Sequence, residues 1–140
     1  VRLDERLAQI GPVERFRPPA RGWVKAIREA LGMSTAQLAQ RMGVRQPSVV
    51  GLEASEEKGS IELATLRRAA EALDCTLVYA LVPKKPLGTT VRTRARTFLQ
   101  RRRQPVEHTM LLEDQHVKED VTDAQVDDVL RETNPRSFWD

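Results

Sequence analysis

The chain reads as mainly α-helical: a bundle of short helices, one β-strand after it, and further helices toward the C-terminus. Three observations predict this. Apolar residues recur at helical spacing over most of the 140 residues. One segment, TLVYALVP (76–83), has instead the β-branched and aromatic enrichment and the terminal proline of a strand. Residues 34–53, STAQLAQRMGVRQPSVVGLE, carry capping and turn residues that divide them into two helices around Gly43. The organisation expected is an N-terminal arm (1–21), a helical domain (22–75), a strand (76–83) and a helical extension that is first basic and then acidic (84–140).

In the arm, Leu3, Leu7 and Ile10 suggest a short helix, and Pro18–Pro19 an extended connection into the domain. Arg15, Arg17 and Arg21 leave it either a solvated arm or one that reaches a neighbour or a polyanion. The segment 22–33 carries Trp23, Ile27 and Leu31 at helical spacing. Ser34 with Gln37 three residues later matches a capping box, so a helix opens at Thr35. Leu38, Ala39 and Met42 form its apolar stripe, and Gln37, Gln40 and Arg41 lie off it. Gly43 can end that helix with a positive φ, and Val44 packs back inward. A second helix starts near Arg45 or Gln46, with Pro47 tolerated in its first turn. Val49 and Leu52 supply its buried face, leaving Arg45, Gln46, Ser48, Val50 and Gly51 outward. The segment 61–74 is a further helix with Leu63, Leu66, Ala70 and Leu73 inward, Ser60 as its cap and Glu62 complementing its dipole.

The strand at 76–83 needs a partner, and the economical one is its counterpart in a second copy, giving an intersubunit sheet and a two-fold dimer. From Lys84 to Arg103 there are eight Lys or Arg and no acid, whereas from Gln104 to Asp140 ten acids face three Lys or Arg. LGTTVRTRARTFLQRRRQ places Val91, Ala95, Phe98 and Leu99 on one helical face and arginines around the others. That basic surface is open to phosphates, to an acidic partner or to water alone. Pro105 is expected to interrupt the pattern, and Val106, Met110 and Leu111 to resume it. A last helix follows Thr122 as cap, with Val126, Val129 and Leu130 inward, and the tail ends in Phe138 and Trp139, which look like a docking element.

Charge and cysteine usage narrow the function classes. A net charge of +3 permits nucleic acid without arguing for it. The single Cys75 forms no internal disulfide and reads as a small core hydrophobe, and with only His108 and His116 no metal site is expected. No long apolar run or signal-peptide pattern occurs, so a cytoplasmic protein with no membrane association is expected. No nucleophile arrangement or phosphate-cradling loop is visible, so neither an enzyme nor a cofactor is expected.

The two helices around Gly43 have the layout of a DNA-binding helix-turn-helix, in which the second, recognition, helix enters the major groove. With its flanks the segment resembles the lambda-repressor-like domain of the Xre family, through Gln37-Leu38-Ala39 and Leu52-Glu53. The resemblance implies that Gln37 caps its helix and touches a DNA phosphate, and that Gln46 and Ser48 reach base edges. Gln46 has the donor and acceptor to bind adenine. Arg45 serves a guanine or a phosphate, and Arg41 and Val50 complete the implied DNA-binding set. Glu53 matches a family residue that pairs with an arginine of the first helix, here Arg28. Gly51 departs from the pattern, standing where many relatives carry a long side chain, so readout through that position is lost. The domain also resembles HipB-like antitoxins, which dimerise through a strand such as 76–83.

Over its whole length the chain resembles a bacterial family called mobile mystery protein A, through RPPARGW, IREALGM, LATLRRAAEALDCTLVYALVP and VEHTMLLEDQ. Members look like antitoxins or regulators paired with a Fic-domain protein. The resemblance implies a homodimer that binds double-stranded DNA at its own operator and represses a Fic-type toxin–antitoxin pair. The chain lacks the Fic signature HPFxxGN, and no Glu precedes Gly or Asn as in the inhibitory motif of some Fic antitoxins. The alternative is an antitoxin that acts mainly by binding the toxin through its C-terminal region, with Phe138 and Trp139 as contacts.

Overall fold

The computed structural model describes residues 2–113 and 120–140, with side chains at 2–102 and 120–140. Its helices are α1 (Arg2–Ala8), α2 (Trp23–Ala30), α3 (Thr35–Met42), α4 (Gln46–Lys58), α5 (Leu63–Ala72), α6 (Leu87–Glu113) and α7 (Asp123–Glu132), with 3-10 turns at Val13–Phe16 and Pro135–Trp139. Two compact units result, Pro12–Leu81 and a second made of Val1–Gly11 with Val82–Asp140. None of the helices among the described residues is long and apolar enough to cross a membrane.

In the Pro12–Leu81 unit, α2 to α5 enclose a core of Val24, Leu38, Ala39, Val49, Leu52, Ala69 and Leu73, with Ile27, Met42, Val44, Leu66 and Cys75 packed against it. The capping box that opens α3 is complete: Gln37 N donates to Ser34 Oγ at 3.1 Å, and Ser34 N donates to Gln37 Oε1 at 2.8 Å. Gly43 ends α3 in the left-handed region, φ 69°, and Val44 N bonds back to Ala39 O at 2.9 Å. Pro47 lies in the first turn of α4, where no intrahelical N–H is lost.

Three local expectations shift by a residue or two; in α5 Leu63, expected inward, is exposed, and Ala69 is buried together with Leu73 just beyond it. The buried side of α2 is Val24, Ile27 and Arg28, while Trp23 and Leu31 are about half exposed. The cause is a cap supplied from α4. Glu56 accepts Trp23 N at 2.8 Å and Val24 N at 3.0 Å, which pins the start of α2 and its rotation. Gly22 is required there: its φ is +95°, and a Cβ would stand 2.7 Å from the Glu56 carboxyl. Ser60, expected to cap α5, instead closes α4, donating its N to Ser55 O at 2.8 Å just after Gly59 at φ 78°; α5 begins after Glu62.

The expected β-strand at 76–83 does not form; among the described residues there is no strand. A strand is stabilised by its ladder, and β-branched composition cannot replace the missing partner. Val78, Tyr79 and Leu81 are left 77%, 66% and 89% exposed.

The second unit is built on α6, whose first turn is capped by α1: Asp4 accepts Leu87 N at 2.6 Å and Gly88 N at 2.9 Å. The hydrogen bonds from Gly88 and Leu87 hold the Asp4 carboxyl below its usual range. Ala95, Val121, Val126, Val129 and Phe138 form the core, with Val91, Phe98, Leu99 and Leu130 against it. Phe138 meets Phe98 edge-on at 5.3 Å between centroids. Thr122 opens α7 with a second full capping box to Gln125. Pro105 does not end α6; the backbone runs through it to Glu113. A proline removes one ladder bond, and the arginines, glutamine and leucines on either side are strong helix formers. The expected inward faces of Val106, Met110 and Leu111, and both histidines, lie outside the described side chains.

Candidate nucleic-acid interface

Arg28 and Glu53 set the orientation of α4. Both are buried, and they meet as a fork: Arg28 Nε donates to Glu53 Oε2 at 2.8 Å and an Arg28 terminal nitrogen donates to Oε1 at 2.9 Å. The remaining guanidinium nitrogen donates to Met33 O at 2.9 Å, at the end of α2. The hydrogen bond to Glu53 raises the pKa of the arginine further above its ordinary value, so the guanidinium stays charged. The structure thus brings together the pair that the resemblance implied. Glu56, one turn farther along α4 and also bound to α2, is a second anchor that sequence reasoning missed. Its only signal was a glutamate on the inward side of α4, in line with Val49, Leu52 and Glu53 at helical spacing.

With that side anchored, Pro47, Ser48, Val50, Gly51 and Ala54 are exposed away from it, and Gln46 is exposed in the first turn. Arg45 is the N-cap, also exposed. Gln46 Nε2 donates to Thr35 Oγ1 at 2.9 Å, which ties the first turn of α4 to the first turn of α3. Gln37 sits in that same turn of α3, its Oε1 occupied by Ser34 N. Its amide NH2 has no partner among the described residues, so the group has donors left for an acceptor outside the chain. Gln37, Gln46 and Ser48 are therefore three polar, exposed groups at the entrance of one helix pair, next to the positive dipole ends of both helices.

Arg41 has a different placement. Its Nε donates to Ala72 O at 2.7 Å, the last residue of α5, where it satisfies a terminal carbonyl. Val50 is 52% exposed and apolar, able to touch a partner but not to hydrogen-bond it. Trp139 is 56% exposed with the Arg94 guanidinium 4.4 Å over its ring, while Phe138 is 4% exposed inside its unit's core. Of the two aromatic tail residues, only the tryptophan presents a surface. No group of three or more His, Cys, Asp or Glu able to hold a metal occurs among the described residues.

The family model described as Helix-turn-helix matches residues 24–79. The chain is 46% identical over 56 residues to two proteins titled Antitoxin HigA1, from Mycobacterium tuberculosis strains CDC 1551 / Oshkosh and ATCC 25618 / H37Rv. That similarity covers 40% of this chain and 36% of each relative, so the chain spans little more than a third of the length of the curated relatives it matches. No solved structure matches. The match to the helix-turn-helix model and the α3–turn–α4 geometry agree on a helix-turn-helix region in a mainly helical chain.

Proposed function

We propose that the chain is a sequence-specific DNA-binding regulator, the antitoxin and autorepressor of a toxin–antitoxin pair, and not an enzyme. The observation that carries this is the anchoring of α4. A buried fork pair and a second capping carboxylate hold one side of the helix, and its exposed surface displays Gln46, which Thr35 holds in place, and Ser48. In this reading Gln46 and Ser48 contact base edges, Arg45 a guanine or a phosphate, Gln37 a phosphate, and Arg41 and Val50 lie at the margin. The antitoxin part follows the similarity to proteins titled Antitoxin HigA1. A Fic-domain partner rests on the resemblance of the whole chain to mobile mystery protein A.

A dimer suits the reading, because two recognition helices are needed for a palindromic operator. The exposed Val78, Tyr79 and Leu81, beside an apolar cleft of about 350 Å³ that Phe16, Trp23, Leu66 and Val78 line, support a second copy covering this segment. The second unit supports the other reading, an antitoxin acting by direct binding to its toxin. Its core is its own, and it has no need to exist for DNA binding, with Trp139 as its exposed aromatic contact.

Fluorescence anisotropy with DNA from upstream of the gene, at low and moderate salt, tests the first reading. Saturable, sequence-dependent binding that Gln46→Ala weakens by about 1 to 3 kcal/mol is expected. Weak binding indifferent to sequence and to the substitution would move the function to the protein-binding antitoxin.

A further inference from the structure

Gly51 has no reason inside the chain to be glycine. It lies in the interior of α4 and is not among the residues with positive φ, so no conformational demand selects it. A Cβ built on it meets nothing within 4 Å, so no packing demand selects it either. Gly22, Gly43 and Gly59 differ: each has a positive φ, and Gly22 is also in contact with Glu56. A glycine in a helix interior is destabilising relative to alanine, so its presence at an open position points to something outside the chain that approaches the backbone.

What approaches is constrained by the surroundings. At about 100° per residue, Gly51 shares its direction with Pro47 and Ala54, opposite the buried Val49, Leu52 and Glu53. Val50 stands beside it, about half exposed. Along the first turns one flank of this crest, made by Pro47, Val50 and Ala54, carries no side chain that can donate or accept a hydrogen bond, while Ser48 lies on the other flank and Gln46 nearer the anchored side. In a major groove only one base presents an apolar group, the C5-methyl of thymine.

We propose that Gly51 is a specificity-determining position, at which the methyl group of a thymine seats against the bare helix backbone with Val50 and Pro47 beside it. The inference rests on the DNA-binding reading above and deepens it: the preferred site carries a thymine under the middle of α4. Readout is then split, with hydrogen bonds from the flanks and apolar contact from the crest.

The test begins with selection of preferred duplexes from a random pool by the full chain. Affinity of the native protein and of Gly51→Ala is then measured by anisotropy, on the selected duplex and on the same duplex with deoxyuridine replacing thymine. Thermal midpoints are recorded alongside. Gly51→Ala is expected to be more stable and yet to bind the thymine duplex more weakly. Deoxyuridine should weaken the native protein about fourfold for each buried methyl lost, and the variant much less. Sequence-specific binding that is indifferent to both changes overturns the methyl contact and leaves the DNA reading in place. Failure to select any sequence overturns that reading as well.

Discussion

The two units of this chain are held together in opposite ways. In the helix-turn-helix unit the ion pair is inside: Arg28 and Glu53 are buried beneath α4, with apolar residues around them. Among the described residues of the C-terminal unit the core is apolar and ion pairs lie on its rim, where Arg92 pairs with Asp123 and Asp127 and Arg96 with Asp123. A buried pair adds little net stability over an apolar replacement but is costly to break, and it fixes one arrangement. Exposed pairs contribute little each and respond to salt and pH. The recognition helix thus sits on the unit whose internal geometry solution conditions hardly touch.

The largest expected effects come from cutting each core at its characteristic point. Glu53→Ala leaves a buried guanidinium unpaired and should cost about 3 to 5 kcal/mol. Phe138→Ala removes the aromatic centre of the other core and should cost about as much, roughly 3 to 5 kcal/mol. Each unit has one tryptophan, Trp23 and Trp139. Urea titrations in Trp23→Phe and Trp139→Phe backgrounds report the two separately. Glu53→Ala should lower the Trp23 transition and Phe138→Ala the Trp139 transition. If both substitutions lower both transitions equally, the two units do not differ in the way described.

The same contrast shows what was readable in the sequence. The α3–turn–α4 segment was legible because its signals are local: a capping serine with its Gln37, a left-handed glycine, and a proline in a first turn all act within a few residues. The Arg28–Glu53 pair joins residues 25 apart, and only the resemblance to a known family pointed to it. The Glu56 cap spans 33 residues and left no trace near α2 itself, so the burial side of α2 came out rotated. The strand at 76–83 was misread for the converse reason, since its composition reports a pairing that a single chain does not supply. Phe138 and Trp139 look alike in sequence, and only tertiary packing separates the core residue from the exposed one.

Acid should act on the rim first. The Arg96 hydrogen bond and charge, with Arg92 behind them, hold Asp123 below the ordinary carboxylate value of 3.8, and the Gly88 and Leu87 amides do the same for Asp4. A carboxylate with a depressed folded pKa contributes stability that is complete above the unfolded value and is lost as pH falls through the folded one. The C-terminal unit should therefore hold its full stability above about pH 5 and weaken progressively below about 3.8. The Trp139 transition is expected to move to lower urea between pH 5 and pH 3 by more than the Trp23 transition, and 1 M salt at pH 7 should have the same sign with a smaller size. Arg92→Gln with Arg96→Gln should abolish most of the Asp123 part of this pH dependence, whereas a Trp139 transition still as steep in pH would assign it elsewhere.

The smallest effects are the most discriminating for function. Ser34 and Thr122 make identical capping boxes, one in each unit, with Gln37 and Gln125 as the reciprocal partners. Ser34→Ala and Thr122→Ala should each cost about 1 kcal/mol in their own unit. Their consequences for DNA differ. The Ser34 hydroxyl accepts from the Gln37 backbone N–H while Gln37 Oε1 accepts from Ser34 N, so the box also orients the side chain assigned to a phosphate. Loosening it should weaken DNA binding severalfold with little change in sequence preference, because a phosphate contact positions the protein without reading bases. Thr122→Ala, equal in stability cost, should leave DNA affinity unchanged. Equal losses of DNA affinity in the two variants would mean that the C-terminal unit takes part in DNA binding, and that Gln37 has no special share in it.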